Sequence, residues 1–270
     1  MQELLSPSVW RRFSQRLERA TSVLLALDFD GTLAPIAEHP DKASAPSYTL
    51  GLLSALAGKP GCKIAIVTGR TLADVKQRVR VVGVTYCGNH GLQMEVDGRR
   101  WTAPGAALEH ASIRDAEKAL STALRSLHGI VLESKGLSLS VHYRQASTED
   151  KGRCLRLCGK VLQPFLASGR LKVDQGKEVL EVQPDVPWDK GACLKRLARL
   201  TFVKAGEAGL CIFIGDDVFD EPAFRAVRQM DGMGILVGGK DIESSATCFL
   251  PSTRAVQTFL ARLLDIPPKL

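Results

Sequence analysis

Short unbroken apolar runs and stretches with helical spacing follow one another along this chain in a regular order. The run VLLAL at 23–27 closes abruptly on Asp28, Asp30 and Gly31; such a run predicts a strand buried on both faces. A helix is expected over 48–56, and KIAIVTGR then gives a second buried strand closing on Thr68 and Gly69. The pattern over 72–80 is helical, and VTYCGNHG reads as a third strand. The same grammar resumes near the C-terminus: a helix in WDKGACLKRLARL, a strand in LCIFIGDD, a helix in EPAFRAVRQM, a strand in GILVG and a closing helix over 253–264. This alternation predicts an α/β fold with a Rossmann-like, doubly wound parallel sheet.

The middle of the chain is built differently. A helix over 105–127, the strand pair IVLES and LSLSVHYR, a helix over 148–166 and the pair RLKVDQ and EVLEVQP repeat one helix plus two strands. That is the pattern of an independent α+β unit. The expected organisation is a discontinuous core over 1–100 and 185–270 with an inserted cap over 101–184. The opening MQELLSPSVWRRFSQRLERA reads as an amphipathic helix, with Leu4, Leu5, Trp10, Phe13 and Leu17 on one face.

With 270 residues, 45% of them apolar and 24% charged, the chain can bury a large core and is not expected to be disordered. No run approaches the ~18 apolar residues of a membrane span, and the opening lacks a signal-peptide core. Seven cysteines, an odd number without a paired CxxC, predict a reduced, cytoplasmic protein. Cys154 and Cys158 share a helix face but lack further ligands for zinc. The formal charge of +7 is scattered, with no basic stripe interleaved with aromatics, which argues against nucleic acid. It suits a small anionic substrate instead. A monomer is the expectation.

Chemistry concentrates where strands end. Asp28 and Asp30 lie two apart at the end of the first strand, the edge at which open α/β sheets bind ligands. Gly215-Asp216-Asp217 ends another apolar strand, with Asp220 and Glu221 about one helical turn on. Side by side, the two strands would gather Asp28, Asp30 and Asp216 around one point, a hard oxygen set suited to Mg²⁺. The plainer alternatives are a polar turn at Gly31 and helix N-terminal acids at Asp217 and Glu221. The Thr68 hydroxyl and the amides after Gly69 could hold a phosphate oxygen. Lys190, at the start of its helix, could offset the crowded carboxylates; a turn and a surface lysine are the ordinary readings.

Together the four elements resemble the motifs of the haloacid-dehalogenase superfamily of phosphohydrolases: Asp28-Phe29-Asp30-Gly31-Thr32, Thr68, Lys190, and Gly215 to Asp220. A narrower resemblance, carried by LAPIAEHPDKA, IVTGR, GNHGL, EVLEVQP and FIGDDVFDEPAF, is to trehalose-6-phosphate phosphatases. Two positions depart from that family's usual pattern: Gln93 stands where Glu is frequent, and Phe219 where Thr is frequent.

The resemblance implies a phosphatase acting on trehalose 6-phosphate. Asp28 would be the nucleophile and Asp30 the acid and base. Mg²⁺ would be held by Asp28, the Asp30 carbonyl and Asp216, with Asp217 and Asp220 behind them, while Thr68 and Lys190 hold phosphate. It also implies substrate contacts at Thr32, Gly69, Arg70, Asn89 and His90, with Glu181 at the rim of the cap. A bare phosphate site cannot tell sugars apart, so the polar side chains of the cap strands are candidates for recognition: Glu133, Lys135, His142 and Arg144, then Lys172, Glu178 and Glu181. Strand alternation puts Glu133 with Lys135, and His142 with Arg144, on common faces. A phosphatase of sucrose phosphate or mannosylglycerate phosphate, a phosphotransferase, and a non-catalytic sugar-phosphate sensor remain as alternatives.

Overall fold

The computed structural model describes residues 1–202, 209–239 and 241–266. The chain divides into two compact units, Met1–Trp101 with Trp188–Leu270, and Thr102–Pro187.

The larger unit opens with β1 (Gln2–Glu3), α1 (Pro7–Arg19), β2 (Ser22–Leu27), α2 (Ser47–Ala57), β3 (Cys62–Val67), α3 (Leu72–Val79), β4 (Val84–Gly88), β5 (Gln93–Val96) and β6 (Arg99–Thr102). The smaller unit follows with α4 (His110–Leu124), β7 (Val131–Ser134), β8 (Leu139–His142), α5 (Thr148–Ala167), β9 (Leu171–Gly176) and β10 (Val179–Pro184). The chain then returns to the larger unit through α6 (Lys190–Phe202), β11 (Gly209–Gly215), α7 (Glu221–Gln229), β12 (Met233–Val237), β13 (Cys248–Leu250) and α8 (Thr253–Asp265).

The larger sheet runs β1-β13-β12-β11-β2-β3-β4-β5-β6. Its pairs are parallel from β1 to β4, and β5 joins β4 antiparallel. Alternation along each central strand supplies two apolar faces. Leu25, Leu27, Ile64, Ile66, Ile212 and Ile214 pack with Phe13, Leu53 and Phe259 on one side. Leu24, Ala26, Ala65, Val67 and Phe213 pack with Leu194, Leu197 and Phe224 on the other. With both faces covered, the strands are continuous apolar runs, and polar side chains are confined to strand ends. From β2 the chain winds outward one way through β3 and β4, and from β11 the other way through β12 and β13. The reversal between β2 and β11 is the switch point at which doubly wound sheets bind ligands.

The opening helix begins later than the periodicity suggests, at Pro7. Proline favours the first helical position, where its missing N–H and fixed φ do no harm. Leu4 lies outside the helix, fully buried, with its amide donating to the Phe249 carbonyl (2.9 Å). The helix expected over 105–127 is a short 3₁₀ turn, Ala106–Glu109, followed by α4.

In the smaller unit the antiparallel sheet β7-β8-β10-β9 carries one apolar face, where Leu139, Val141, Leu180 and Val182 cluster with Ile113 and Leu120 of α4 and Cys154, Cys158 and Leu162 of α5. The other face is polar. Glu133 pairs with Ser140, Ser140 with Glu181, and Glu181 with Asp174 across all four strands. The seven cysteines are free thiols, and among the described residues no helix is long and apolar enough to cross a membrane.

Candidate active site

Parallel pairing carries the end of β2 to the end of β11: the Asp28 amide donates to the Ile214 carbonyl (2.8 Å). The backbone then turns sharply, with the amides of Leu33 and Ala34 both donating to the Phe29 carbonyl (2.9 Å each). Phe29 fills the core with no exposed surface. It thereby fixes the orientation of the acids on either side of it.

Asp28, Asp216 and Asp220 are buried, and their carboxylate oxygens lie within 4.8 Å of one another. Lys190, at the first position of α6, stands among them. Its Nζ donates to Asp28 Oδ1 (2.7 Å) and Asp220 Oδ1 (2.6 Å). The second oxygen of Asp220 accepts the amides of Asp216 (2.9 Å) and Asp217 (3.0 Å). Asp217 closes the same turn by accepting the Phe219 amide (3.4 Å). Asp220 is thus occupied with Lys190 and the backbone.

The donor set fits Mg²⁺. Three buried carboxylates within 4.8 Å of one another supply the hard oxygen donors that such an ion takes. The backbone is shaped around it too: Gly31 has φ +74°, and a Cβ there would overlap the Asp216 carboxylate. Burial raises the Asp28 carboxyl well above its usual range, with Asp220 and Asp216 adding to the rise and Lys190 opposing it. Burial alone would lower the Lys190 ammonium, but Asp220 and Asp28 outweigh it and the net direction is upward. The lysine therefore stays charged and is a permanent counter-ion for Asp28.

Asp30 belongs to a different set of contacts. Its two oxygens accept the Nε and an NH2 hydrogen of Arg70, each at 2.7 Å. Its carboxylate therefore pairs with arginine, and its backbone carbonyl is the part of Asp30 assigned to the metal by the sequence reading. Arg70 also donates to Asp74 Oδ2 (2.8 Å) and the Pro40 carbonyl (2.8 Å), and its guanidinium lies 5.2 Å from the centre of the Phe29 ring.

At the end of β3, Thr68 is buried and its hydroxyl accepts the Arg70 amide (3.3 Å). Asn89 and His90, just past β4, are buried with φ of +50° and +56°. Left-handed geometry is uncommon outside glycine, and asparagine and histidine are among the residues that adopt it most readily. Here the Asn89 amide donates to the Arg70 carbonyl (2.7 Å) and the His90 amide to the Thr68 carbonyl (2.8 Å). The His90 ring sits so close to Gly69 that a Cβ there would stand 2.7 Å from it, and the Phe219 ring lies 5.3 Å away between centres. Asn89 Nδ2 donates to Gln93 Oε1 (3.1 Å). Both departures from the family pattern thus touch residues singled out as substrate contacts. Thr32 is buried, and its hydroxyl makes no hydrogen bond among the described residues.

In the smaller unit, Lys135 Nζ donates to Glu181 Oε1 (3.2 Å), the Ser140 hydroxyl donates to the same oxygen (2.7 Å), and His142 Nε2 lies 3.0 Å from Glu133 Oε2. Lys135 Nζ is also 3.9 Å from Glu133 Oε2. Arg144 does not join them. β8 ends at His142, the chain turns with the Ala146 amide on the Tyr143 carbonyl, and Arg144 pairs instead with Glu178 (3.5 Å) beside Lys151. The regular alternation that puts His142 and Arg144 on one face stops two residues short of Arg144. Asp74, the Pro40 carbonyl and Ser140 escape the sequence reading. Only Asp74 has a local signal, its i,i+4 spacing to Arg70 and Arg78.

A doubly wound sheet with an aspartate at its switch point, a lysine bridging two carboxylates and a second acidic strand end define the haloacid-dehalogenase-like fold. A haloacid dehalogenase-like hydrolase from Bacteroides thetaiotaomicron shares it, with a TM-score of 0.62 at 14% identity over 90% of this chain and 99% of that one. The trehalose-phosphatase family model matches residues 26–253, and the chain belongs to that family. The C-terminal domain of trehalose-6-phosphate phosphatase from Candida albicans superposes with a TM-score of 0.85 at 22% identity, covering 95% of this chain and 97% of that one.

Among sequence relatives, the trehalose-phosphate phosphatase of Mycobacterium avium is 36% identical over 247 residues, 88% of this chain and 61% of its own length. The probable trehalose-phosphate phosphatase D of Arabidopsis thaliana is 32% identical over 96% of this chain and 72% of its own. An uncharacterized glycosyl hydrolase of Mycobacterium tuberculosis is 36% identical over 95% of this chain but only 19% of its own length. The chain thus spans well under two thirds of several curated relatives it matches.

Proposed function

We propose that the chain hydrolyses trehalose 6-phosphate to trehalose and inorganic phosphate, with Asp28 as nucleophile. The observation that carries the reading is the placement of Asp28 at the switch point, hydrogen-bonded to a buried lysine that Asp220 holds from the other side. Family membership and the relatives' names point to the same substrate.

Asp28 attacks phosphorus, the bond from phosphorus to the sugar oxygen breaks, and an aspartyl phosphate forms. The departing alkoxide is a poor leaving group unless it receives a proton, and in this reading Asp30 gives it. Asp30 then takes a proton from the water that attacks the aspartyl phosphate, and phosphate leaves. Lys190, Thr68 and the hydroxyl of Thr32 hold the phosphoryl oxygens, since this reaction depends mainly on positioning and electrostatics. Asp28, Asp216 and the Asp30 carbonyl would hold Mg²⁺, which supplies positive charge that relieves repulsion between nucleophile and phosphate. Choice of sugar falls to the smaller unit acting as a cap, through Glu133, Lys135, His142 and Glu181. A non-catalytic sensor has no need of an intact nucleophile with its buried counter-ion.

The test is phosphate release from a panel of trehalose 6-phosphate, sucrose phosphate and mannosylglycerate phosphate, with Mg²⁺ and with a chelator. Trehalose 6-phosphate is expected to lead the panel by at least about tenfold in kcat/KM, a difference of about 1.4 kcal/mol. Activity should vanish on chelation and return with Mg²⁺. Preference for another sugar, or full activity without metal, contradicts the corresponding part of the reading.

A further inference from the structure

We infer that Arg70 is a positioning residue that holds and aims Asp30, and that it is not a ligand of the substrate's phosphate or sugar; the inference rests on the phosphatase reading above. A guanidinium has five N–H donors in one plane. In Arg70, Nε and one NH2 hydrogen go to Asp30 Oδ2 and Oδ1 (2.7 Å each), the second NH2 hydrogen goes to the Pro40 carbonyl (2.8 Å), and NH1 donates to Asp74 Oδ2 (2.8 Å). One donor is left over, too few for the two-point grip by which arginine holds a phosphate. The residue is buried, and one face of its guanidinium is turned to Phe29.

The contacts continue behind it. Asp74 accepts Arg78 Nε on both oxygens (2.9 and 2.8 Å), and Arg78 NH1 donates to the carbonyls of Asp41 (3.1 Å) and Ala43 (2.6 Å). Arg70, just before α3, and Arg78, inside it, therefore fasten the 40–43 segment to α3, and the last link of this chain of contacts is the Asp30 carboxylate. The fork takes one lone pair from each Asp30 oxygen, and a carboxylate has about four such positions in all. The others stay usable for moving a proton, in a direction set by Arg70. A lysine here would keep the charge but lose the fork.

The experiment compares wild type, Arg70→Lys, Asp30→Asn and the double variant with p-nitrophenyl phosphate by rapid quench. Its leaving group needs little help from an acid, so the first turnover reports attack by Asp28 and later turnovers report activation of water. For Arg70→Lys, first-turnover release of nitrophenol and inhibition by inorganic phosphate should stay within about threefold of wild type, while steady-state phosphate release falls at least about 30-fold, within the range general acid–base groups contribute. Adding Arg70→Lys to Asp30→Asn should cost less than about threefold more, because the two act as one unit.

A slowed first turnover with tenfold weaker phosphate inhibition would make Arg70 a phosphate ligand, and losses that multiply in the double variant would uncouple it from Asp30. Either result overturns the inference. If Arg70→Lys does not fold, Asp74→Asn loosens the arginine while leaving it in place. The same order of effects, smaller in size, supports the inference, and unchanged steady-state release overturns it. Absence of phosphate release from wild type on every substrate would instead remove the phosphatase reading itself, and this inference with it.

Discussion

Lys190 is a charged group with almost no access to solvent, held by two carboxylates at 2.7 and 2.6 Å. Its ammonium offsets the Asp28 charge, yet the proton it carries is locked in place, so proton traffic falls to Asp30 in the proposed mechanism. The two aspartates at the end of β2 should therefore fail differently. Asp28→Asn removes the proposed nucleophile and should abolish turnover of sugar and aryl phosphates alike. Asp30→Asn should still release a stoichiometric burst of aryl alcohol and then turn over slowly, with phosphate trapped on the protein after acid quench. With a sugar phosphate, whose leaving oxygen needs a proton, the burst should be absent or slow. Phosphoprotein in Asp28→Asn, or none in Asp30→Asn, would reverse the roles.

At the scale of elements, α3 is tied to the active edge through Asp74, and the tie is sensitive to acid. Burial would raise the Asp74 carboxyl, but hydrogen bonds from Arg78 and Arg70 outweigh it and the net direction is downward. A carboxyl lowered on folding contributes stability above its unfolded value of about 3.9, and that contribution is lost as pH falls below it toward the folded value. Asp74→Asn should thus lower stability by on the order of 1–2 kcal/mol near pH 7. The gap to wild type should close below about pH 4; urea unfolding at several pH values measures it, and a gap that persists in acid would assign the loss to packing.

The central strands were legible because burial on both faces leaves an unmistakable apolar run, as in β2, β3 and β11. β1 and β13 were not, being two and three residues long and defined by pairing with distant partners. The strands β5 and β6 carry a local signal in the Asp97-Gly98 dipeptide between them, where both residues adopt positive φ, +49° and +76°, as a tight hairpin turn demands. Of the candidate site, Asp28, Lys190 and Asp216 could be placed because each ends a strand or starts a helix. The Arg70–Asp30 pair could not, since it depends on side chains 40 positions apart and on a loop carbonyl.

For the whole molecule, the proposed division of labour between the units has a measurable signature. Glu181 is buried and held by Lys135 and Ser140 inside the smaller unit. If it reads the sugar, Glu181→Ala should lower kcat/KM for trehalose 6-phosphate at least about 30-fold while changing an aryl phosphate less than about threefold, because contacts to a remote group contribute only when that group is present. Equal losses on both would make its role structural.

The pairing of β2 with β11 also bears on how the protein comes into being. Asp28 lies near the start of the chain and Asp216 near its end, with the entire smaller unit between them. Parallel partners so far apart in sequence close late, since the chain must lose most of its freedom before that contact forms. During synthesis from the N-terminus, the proposed nucleophile emerges long before its lysine and its acidic partners. A nascent or truncated chain that stops before β11 therefore holds Asp28 without Asp216 and Asp220, and the proposed site can be complete only once β11 fills the middle of the sheet.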